Sequence, residues 1–442
     1  MKPIKTLGKS FLSARLEAQV KKLRKAHQFQ VIAVAGSVGK TSTKLAIASM
    51  LAGQKRVRFQ EGNYNDRLTV PLIFFGQTEP GIFNVAAWLK ILGANRRAIK
   101  RDYPYDYVVV ELGTDGPGQM EQFAYLQPDL VVLTSIADEH MEYFKTLDAV
   151  AAEELQAATY AKKLLVNADD VDPKYLDGLT YKSYAAASNA DYMIGGLQAI
   201  KLGVTKATLS IPGEPSLFAE LHILGKQGAK IALAAAATAH LLGFDAAAIR
   251  QGIAGLEPFA GRMQILPGIK DSTLLDDTYN ASPIAVKAAL DTLYAAKAPH
   301  RIAILGSMNE LGEGSAAAHQ AIGSYCDPKR LDLVVTIGEQ AGSYLGPAAS
   351  KQGCAVKSFI GPYEAGAYVA QNLQTGSIIL AKGSQNGVFA EEALKSLLKN
   401  PEDAQKLVRQ SPYWLAQKQA QFGKPSGAPA PAAPNDPSAA AS

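Results

Sequence analysis

The chain has 442 residues, of which 48% are hydrophobic and 19% charged, the composition of an ordinary soluble protein with two or three domains. Its formal net charge of +5 is too small to indicate nucleic-acid binding over the whole chain. Two cysteines, Cys326 and Cys354, exclude a disulfide framework and fit no metal-site spacing. No apolar run is long enough to span a bilayer and the basic N-terminus lacks a signal-peptide core, so the sequence favours the cytoplasm.

The first segment, residues 1–28, is predicted to be a basic amphipathic helix. It contains eight Lys or Arg residues and one acid, Glu17. Its apolar residues recur at helical spacing and would form one stripe: Leu12, Leu16, Val20 and Leu23. We expect this stripe to dock on the domain that follows. The alternative is contact with an anionic membrane surface or a phosphorylated lipid substrate, which a second basic segment at residues 88–101 could extend.

The segment QVIAVAGSVGKTSTKLAIASML, residues 30–51, predicts a phosphate-binding loop between a strand and a helix. Glycines let the backbone approach phosphates, while loop N–H groups and the helix N-terminus face their negative charge. Lys40 would reach the outer phosphates and the Thr41 hydroxyl would ligate Mg²⁺. The common spacing would have a glycine where this chain has Val34, so the loop is a shortened variant. The nucleotide-binding residues predicted here are Gly36, Ser37, Val38, Gly39, Lys40, Thr41 and Ser42.

Apolar strands then alternate with helical patterns, which predicts an α/β fold whose mainly parallel sheets are covered on both faces. The predicted strands are 107–112, 130–136, 163–167, 302–305, 333–337 and 377–381, and the less regular stretch 180–224 would add short strands. The predicted divisions are the helix 1–28, a central P-loop-type domain 29–260, a C-terminal Rossmann-like α/β domain 261–422 and a disordered Pro/Ala-rich tail 423–442.

Several chemically capable side chains are predicted to lie where strands end, which is where ligands bind in parallel sheets. Glu111 ends a buried strand, where a carboxylate is costly unless it is paired or binds a metal such as Mg²⁺. His140 follows the next apolar strand. In the second half, Arg262 suits a phosphate through its forked donors, and Asp277 could accept from ribose hydroxyls.

These motifs together resemble one family, the Mur ligases, which are ATP-dependent amide-bond ligases. The resemblance runs over about residues 31–392, nearly all of the chain expected to be ordered. It rests on GSVGKTSTK, GNYND, ELG, ADEHMEYF, NADD, GRMQ, DDTYNASP, LGSMNELGEGS and AKGS. The last motifs are most similar to the type that adds D-Ala-D-Ala to a UDP-MurNAc-peptide in cell-wall precursor synthesis. The resemblance implies a central ATPase domain and a C-terminal domain that closes on ATP. It also implies phosphoryl transfer to a carboxylate, giving an acyl phosphate that an amine attacks.

Site roles follow from the resemblance position by position. Lys40 would bind the β- and γ-phosphates, Thr41 and Glu111 one Mg²⁺, and His140 a second Mg²⁺. Arg262 would come from the closing domain to the γ-phosphate. Further implied contacts are Asp277 to the ribose, Tyr279 and Asn280 to adenine, and Asn63, Asn65, Glu310, His319 and Lys382 to substrate or nucleotide.

Three departures from the family pattern affect these expectations. Only about thirty residues precede the first strand, too few for the family's usual UDP-binding domain. Glu154 stands where many relatives have a carbamoylated lysine, so it either helps to hold Mg²⁺ or is a solvated helix residue. The segment 225–231 has Gln227, Gly228 and Ile231 where the family often has a His and two Asn residues that recognise adenine, so base selectivity should be weaker.

We therefore predict an ATP- and Mg²⁺-dependent ligase of small-molecule substrates, cytoplasmic and monomeric, without a nucleic-acid partner. One alternative is the same chemistry with another acceptor. The other is a nucleotide-binding regulator that has lost ligation, although retention of Lys40, Thr41, Glu111, His140 and Arg262 argues against it.

Overall fold

The computed structural model describes residues 2–60, 62, 64–81, 83–222 and 224–423. The described strands form two sheets, one in each half of the chain. The predicted contact residue Asn63 and residues 424–442 of the predicted disordered tail lie outside the described residues. No described helix is long and apolar enough to cross a membrane.

The first sheet has nine strands in the order β2-β3-β1-β4-β5-β6-β7-β8-β9, of which the last two are antiparallel additions. They are β1 Gln30–Ala35, β2 Val57–Arg58, β3 Tyr107–Glu111, β4 Leu130–Leu133, β5 Leu164–Asn167, β6 Lys182–Ala185, β7 Tyr192–Lys201, β8 Val204–Ser210 and β9 Leu217–Leu221. The helices of this half are α1 Lys2–Ala26, α2 Lys40–Ala52, α3 Val70–Phe75, α4 Val85–Ile99, α5 Met141–Phe144, α6 Leu147–Leu155, α7 Gly225–Leu241 and α8 Ala246–Ala254, with 3₁₀ turns at Met120–Leu126, Gln156–Tyr160 and Pro173–Tyr175.

The central strand β1 shows why the sheet is covered on both faces. Ile32 and Val34 belong to one hydrophobic cluster, packed under α2 and α7, whereas Val31, Ala33 and Ala35 belong to a second cluster on the other face. Successive residues of a strand point to opposite faces, so an uninterrupted apolar run requires cover on both.

Helix α1 supplies part of that cover. Leu16, Val20 and Leu23 are fully buried against the first half of the chain. The predicted apolar stripe is therefore used in docking α1 to the protein and is not available to a membrane.

The second sheet has six strands in the order β10-β11-β15-β12-β13-β14, parallel except for β10 against β11. They are β10 Gln264–Pro267, β11 Thr273–Asp276, β12 Arg301–Gly306, β13 Leu333–Ile337, β14 Val356–Phe359 and β15 Ile378–Lys382. The helices are α9 Pro283–Ala295, α10 Ser315–Tyr325, α11 Gly346–Lys351, α12 Pro362–Asn372, α13 Glu391–Leu394 and α14 Pro412–Phe422, with short helical turns at Gly312–Gly314, Ala341–Leu345 and Pro401–Lys406.

The two halves meet where α7 begins. Leu224 packs into the hydrophobic cluster of the second half, on the α9 side of its sheet. Gly225 has φ 72°, and a Cβ on it would lie 2.5 Å from Thr292 Oγ1 of α9. The close approach of α7 to α9 therefore needs glycine here, and it brings the second half over the loop between β1 and α2.

Candidate active site

The predicted phosphate loop connects β1 to α2 and is held tightly by the segment after β4. Ser37 N donates to Ser135 O at 3.0 Å, and Val38 N donates to Ser135 Oγ at 2.8 Å. Gly36 has φ 118°, and a Cβ there would lie 2.5 Å from Thr134 Oγ1. The sharp turn places the first N–H groups of α2, which have no intrahelical acceptor, at the end of the parallel sheet.

Lys40, at the start of α2, faces two carboxylates. Its Nζ lies 3.5 Å from Glu139 Oε2 and 4.0 Å from Glu154 Oε1. Burial by itself lowers the pKa of Lys40, but these negative charges outweigh it and hold the pKa above its usual 10.5. Lys40 is thus a fixed cation at the mouth of the phosphate loop.

Glu154 is fully inside this cluster. Its side chain is 1% exposed, and its Oε2 accepts a hydrogen bond from Gly36 N at 2.6 Å. Burial raises the pKa of Glu154 to about 8, Lys40 opposes the shift, and Glu139 adds to it. The alternative interpretation of Glu154 as a solvated helix residue is therefore wrong, because the end of α6 points into the phosphate loop.

Glu111, at the end of β3, is paired with Lys44 from the second turn of α2. Lys44 Nζ lies 3.5 Å from Glu111 Oε2 and donates to Gly62 O at 3.1 Å, while Asn65 Nδ2 lies 3.3 Å from Glu111 Oε1. Burial lowers the pKa of Lys44, Glu111 opposes the shift, and the positive charge of Arg262 adds to it. Arg262 from the second half therefore lies close to the same cluster.

The donor set fits a hydrated Mg²⁺ accompanied by phosphate. Around the phosphate loop, three buried carboxylate oxygens of the described residues have no hydrogen-bond partner: Glu111 Oε2, Glu139 Oε1 and Glu154 Oε1. No group of three described His, Cys, Asp or Glu residues is arranged to hold a metal without other ligands. Magnesium usually keeps several waters and binds one or two carboxylates plus substrate phosphates, so sparse protein ligation agrees with it.

His140 joins the two halves. It has φ 46°, its Nδ1 lies 3.3 Å from Glu310 Oε2, and its Nε2 lies 3.7 Å from Asp115 Oδ1. Gly312, beside Glu310, lies against the backbone of Glu142. Glu310, predicted as a substrate or nucleotide contact, here bridges to the residue predicted to hold the second Mg²⁺.

Arg262 lies against the aromatic ring of Tyr279. Its guanidinium carbon lies 3.9 Å from the centre of the Tyr279 ring, and Arg409 donates to Tyr279 O at 2.9 Å and to Thr278 O at 2.6 Å. Arg409 is itself held by Glu391. This chain of contacts holds Arg262 at the boundary between the two halves, near Lys44.

A cavity of about 220 Å³ lies between the two halves next to the phosphate loop. Its polar lining includes Lys382, whose Nζ donates to Asp277 Oδ2 at 2.6 Å and to Asn280 O at 3.0 Å. The other side is mostly apolar or small: Leu224, Gly228, Ile231, Ile284, Ala285, Ala288 and Ala289. Neither Tyr279 nor Asn280, predicted as adenine contacts, lines this cavity, because Tyr279 instead stacks on Arg262.

A larger cavity of about 610 Å³ opens on the other side of Glu111 and Asn65. One wall comes from α1, and the rest comes from residues 65–67, from Glu79 and from the segment after β3. The lining includes Lys9, Ser10, Ser13, Asn65, Arg67, Gly113, Asp115 and Gln119.

Models of two protein-family domains match the sequence of this chain. The model of the Mur ligase middle domain matches residues 34–239, and that of the Mur ligase glutamate ligase domain matches residues 261–385. The chain belongs to the Mur ligase family. Mur ligases are ATP-dependent enzymes, and the predicted resemblance is confirmed.

Relatives and solved structures agree with this assignment. The UDP-N-acetylmuramoyl-tripeptide–D-alanyl-D-alanine ligase of Bacillus subtilis is 26% identical over 84% of this chain and 76% of its own length. The Haemophilus influenzae protein of the same name is 29% identical over 71% of this chain and 64% of its own length. Crystal structure I of MurF from Acinetobacter baumannii superposes with TM-score 0.70 at 22% identity, covering 86% of this chain and 78% of that one. The structure of the Thermotoga maritima MurF ligase in complex with ADP superposes with TM-score 0.70 at 20% sequence identity. The match covers 89% of this chain and 84% of that one. The predicted α/β fold is confirmed.

Not every predicted position of this Mur ligase faces the cleft. His319 is fully buried; its Nε2 accepts from Met308 N at 2.9 Å and its Nδ1 lies 2.8 Å from Ser315 O. Burial lowers the pKa of His319, and both ring nitrogens are engaged, so the structure gives it a role in shaping the loop after β12 and not in contacting substrate.

Sequence reasoning missed five charged residues of this Mur ligase site. Lys44 follows Lys40 at helical spacing within GKTSTK, and Glu139 lies inside the ADEH motif. Both could therefore have been predicted as site residues from the sequence. Lys230 donates to both carboxylate oxygens of Asp170 at 2.8 Å, beside the smaller cavity. Asp170 ends the NADD motif and Asp115 follows the ELG motif by two residues, but neither had an assigned role.

Proposed function

We propose that the chain is an ATP- and Mg²⁺-dependent carboxylate-amine ligase of the MurF type. It would join D-Ala-D-Ala to a UDP-MurNAc-tripeptide through an acyl phosphate, in the cytoplasm and as a monomer. The proposal is supported by the names of its curated relatives. The chain spans 76%, 64% and 65% of the length of the first three.

The observation that carries the proposal is the convergence of both halves on one cleft. Lys40 and Glu111 come from the first half, while Arg262 and Lys382 come from the second, on either side of the cavity beside the phosphate loop. A regulator that only binds a nucleotide has no need of a second cation brought to the phosphate end. A phosphoryl-transfer enzyme does, because charge must be neutralised while the reacting groups are aligned.

In this proposal ATP lies with its base against the apolar side of the smaller cavity and its phosphates at Lys40. Thr41 and Glu111 would hold Mg²⁺, which supplies charge neutralisation at the phosphates. Lys40 and Arg262 would bind the transferring phosphoryl group, and Asp277, held by Lys382, would accept from the ribose. For His140 to ligate a second Mg²⁺, its contact with Glu310 must be exchanged for the metal.

The acceptor carboxylate is proposed to enter from the larger cavity. That cavity reaches Gly113 and Asn65, next to Glu111, so a carboxylate there approaches the phosphates from the side opposite to the nucleoside. Lys9 and Arg67 also line it, but each is already paired with an acid, Asp66 and Glu17 respectively. Because Asp66, Glu79 and Asp115 line it too, the cavity is polar and has no excess of positive charge.

The test is release of ADP and phosphate by the purified chain with ATP and Mg²⁺, with and without UDP-MurNAc-tripeptide and D-Ala-D-Ala, while the product is followed by mass. We expect release that requires both substrates and yields the pentapeptide. The Lys40→Ala variant should abolish release, and the exposed Lys351→Ala serves as its control. Release supported only by other carboxylates would indicate a different acceptor, and tight ATP binding without any release would contradict the ligase proposal.

A further inference from the structure

Helices α1 and α4 lie side by side and run in the same direction. Gln19 Nε2 donates to Leu92 O at 2.9 Å, and Asn95 Nδ2 donates to Gln19 Oε1 at 2.9 Å. Further along both helices, His27 Nε2 lies 2.9 Å from Ile99 O. Their inner sides are thus occupied by contacts with each other, with Leu68 and Leu72 and with the cluster on one face of the sheet. We term the exposed side chains of α1 from Phe11 onward and of residues 85–100 the α1–α4 face.

The N-terminal part of the α1–α4 face exposes large apolar side chains. Phe11 is 60% exposed on α1, and Val85 and Leu89 are each 66% exposed on α4. On the same helices Leu16 and Trp88 are buried in the contact between α1 and α4. The exposed apolar side chains therefore form a second set, separate from the ones that dock α1.

The remainder of the α1–α4 face is basic. The exposed cations are Lys21, Lys22, Lys25, Lys90, Arg96, Arg97 and Lys100. None of them pairs with a carboxylate among the described residues. Glu17, the one acid within the two helices, forms an ion pair with Arg67, whose Nε lies 2.6 Å from Glu17 Oε1. The whole chain has a net charge of only +5, so its positive charge is concentrated here.

This combination fits one kind of partner. Surface helices with apolar side chains beside a row of Lys and Arg lie in the interface of anionic bilayers, where the apolar groups enter the headgroup boundary and the cations meet lipid phosphates. A nucleic acid would use the cations but leave Phe11, Val85 and Leu89 in water. A protein partner would need acidic residues, and it would not depend on lipid charge.

We propose that the α1–α4 face docks this enzyme on an anionic membrane surface. The face is distinct from the lining of the larger cavity, to which α1 contributes Lys9, Ser10 and Ser13. Docking therefore uses none of the residues assigned to ATP, Mg²⁺ or acceptor. It goes beyond the proposed ligase reaction and does not depend on it.

The test is co-sedimentation of the full chain with vesicles of phosphatidylcholine alone and with vesicles that also contain phosphatidylglycerol. We expect binding to the anionic vesicles only, weakened by salt, and a loss of about tenfold or more when Lys21, Lys22, Arg96 and Arg97 are all changed to Glu. The matched control changes four exposed lysines of the second half to Glu, namely Lys297, Lys329, Lys351 and Lys357, and should bind like the unchanged protein.

A second variant, Leu89→Asp, separates membrane docking from simple attraction to polyanions. We expect it to lose vesicle binding too, with its circular-dichroism spectrum unchanged. Equal binding to both vesicle types would overturn the proposal, and so would undiminished binding of the fourfold variant. Unchanged vesicle binding by Leu89→Asp, with competition by a polyuridine RNA, would also overturn it and identify a polyanion site.

Discussion

Glu154 is a buried carboxylate beside the phosphate loop, at a position where relatives have a lysine. Its Oε2 accepts from Gly36 N, and its Oε1 lies 4.0 Å from Lys40 Nζ and has no hydrogen-bond partner. A buried carboxylate with a free oxygen beside a phosphate site is well placed to hold a metal directly or through water.

We expect Glu154→Gln to raise the Mg²⁺ concentration needed for half-maximal turnover by about 10- to 100-fold. Burial raises the pKa of Glu154 to about 8 although the neighbouring Lys40 opposes the shift, so without metal a proton competes with Mg²⁺ for this side chain near neutral pH. The Mg²⁺ requirement of the unchanged enzyme should therefore fall as pH rises towards 8, and that of the variant should change less. Turnover as a function of Mg²⁺ at several pH values measures both effects.

The control for this variant is its neighbour. Glu153 is also buried, but it accepts from Gly118 N and Met120 N, away from the lysine. Glu153→Gln should leave the Mg²⁺ requirement unchanged. Because Gln can still accept from Gly36 N, an unaltered Mg²⁺ requirement in Glu154→Gln would show that residue 154 only holds the loop.

The positions of single site residues could be predicted only where a local motif carried them. The loop with Lys40 and the strand end with Glu111 are local features, because a glycine turn and a buried carboxylate are visible in a short window. The contacts of His140 with Glu310 and of Tyr279 with Arg409 join residues more than one hundred positions apart, so no spacing in the sequence reveals them. The partners of His319 are only four and eleven positions away, but its burial depends on how the loop after β12 folds, which the sequence pattern did not reveal.

Among the elements, α1 has three surfaces with different roles. Its apolar stripe is buried, as the spacing predicted, one polar side lines the larger cavity, and its outer side belongs to the α1–α4 face. The strands of the first sheet were predictable because each buried run is continuously apolar. The bounds of β7 to β9 were not, since this antiparallel part has one exposed face and weaker contrast.

We expect Ser10→Trp to raise the KM for the acceptor by roughly tenfold while the KM for ATP stays unchanged, because the indole would occupy the cavity where the acceptor is proposed to bind. Steady-state kinetics with each substrate varied in turn measures both constants. Ala18→Trp places the same side chain on the same helix away from the cavity and is the control. An unchanged acceptor KM in Ser10→Trp would show that the acceptor enters elsewhere.

At the scale of the whole molecule, the two halves have separate hydrophobic interiors. The clusters that sandwich the first sheet and those that sandwich the second share few elements, and Leu224 is the main residue to cross from one to the other. The sequence indicated this division through a break near residue 260. It could not indicate the closeness of the halves, which depends on Gly225 meeting α9.

The small hydrophobic interior shared by the two halves should be visible in calorimetry. Because so little of it is shared, heating the free protein should give two separate heat-absorption peaks, one for each half. A non-hydrolysable ATP analogue with Mg²⁺ at about one hundred times its Kd contributes about 2.7 kcal/mol to a state in which both halves are folded. The lower peak should then shift upward by several degrees and approach the other, whereas a single peak in both samples would contradict the separation. The nucleotide would thus act as part of the interior that the two halves otherwise lack.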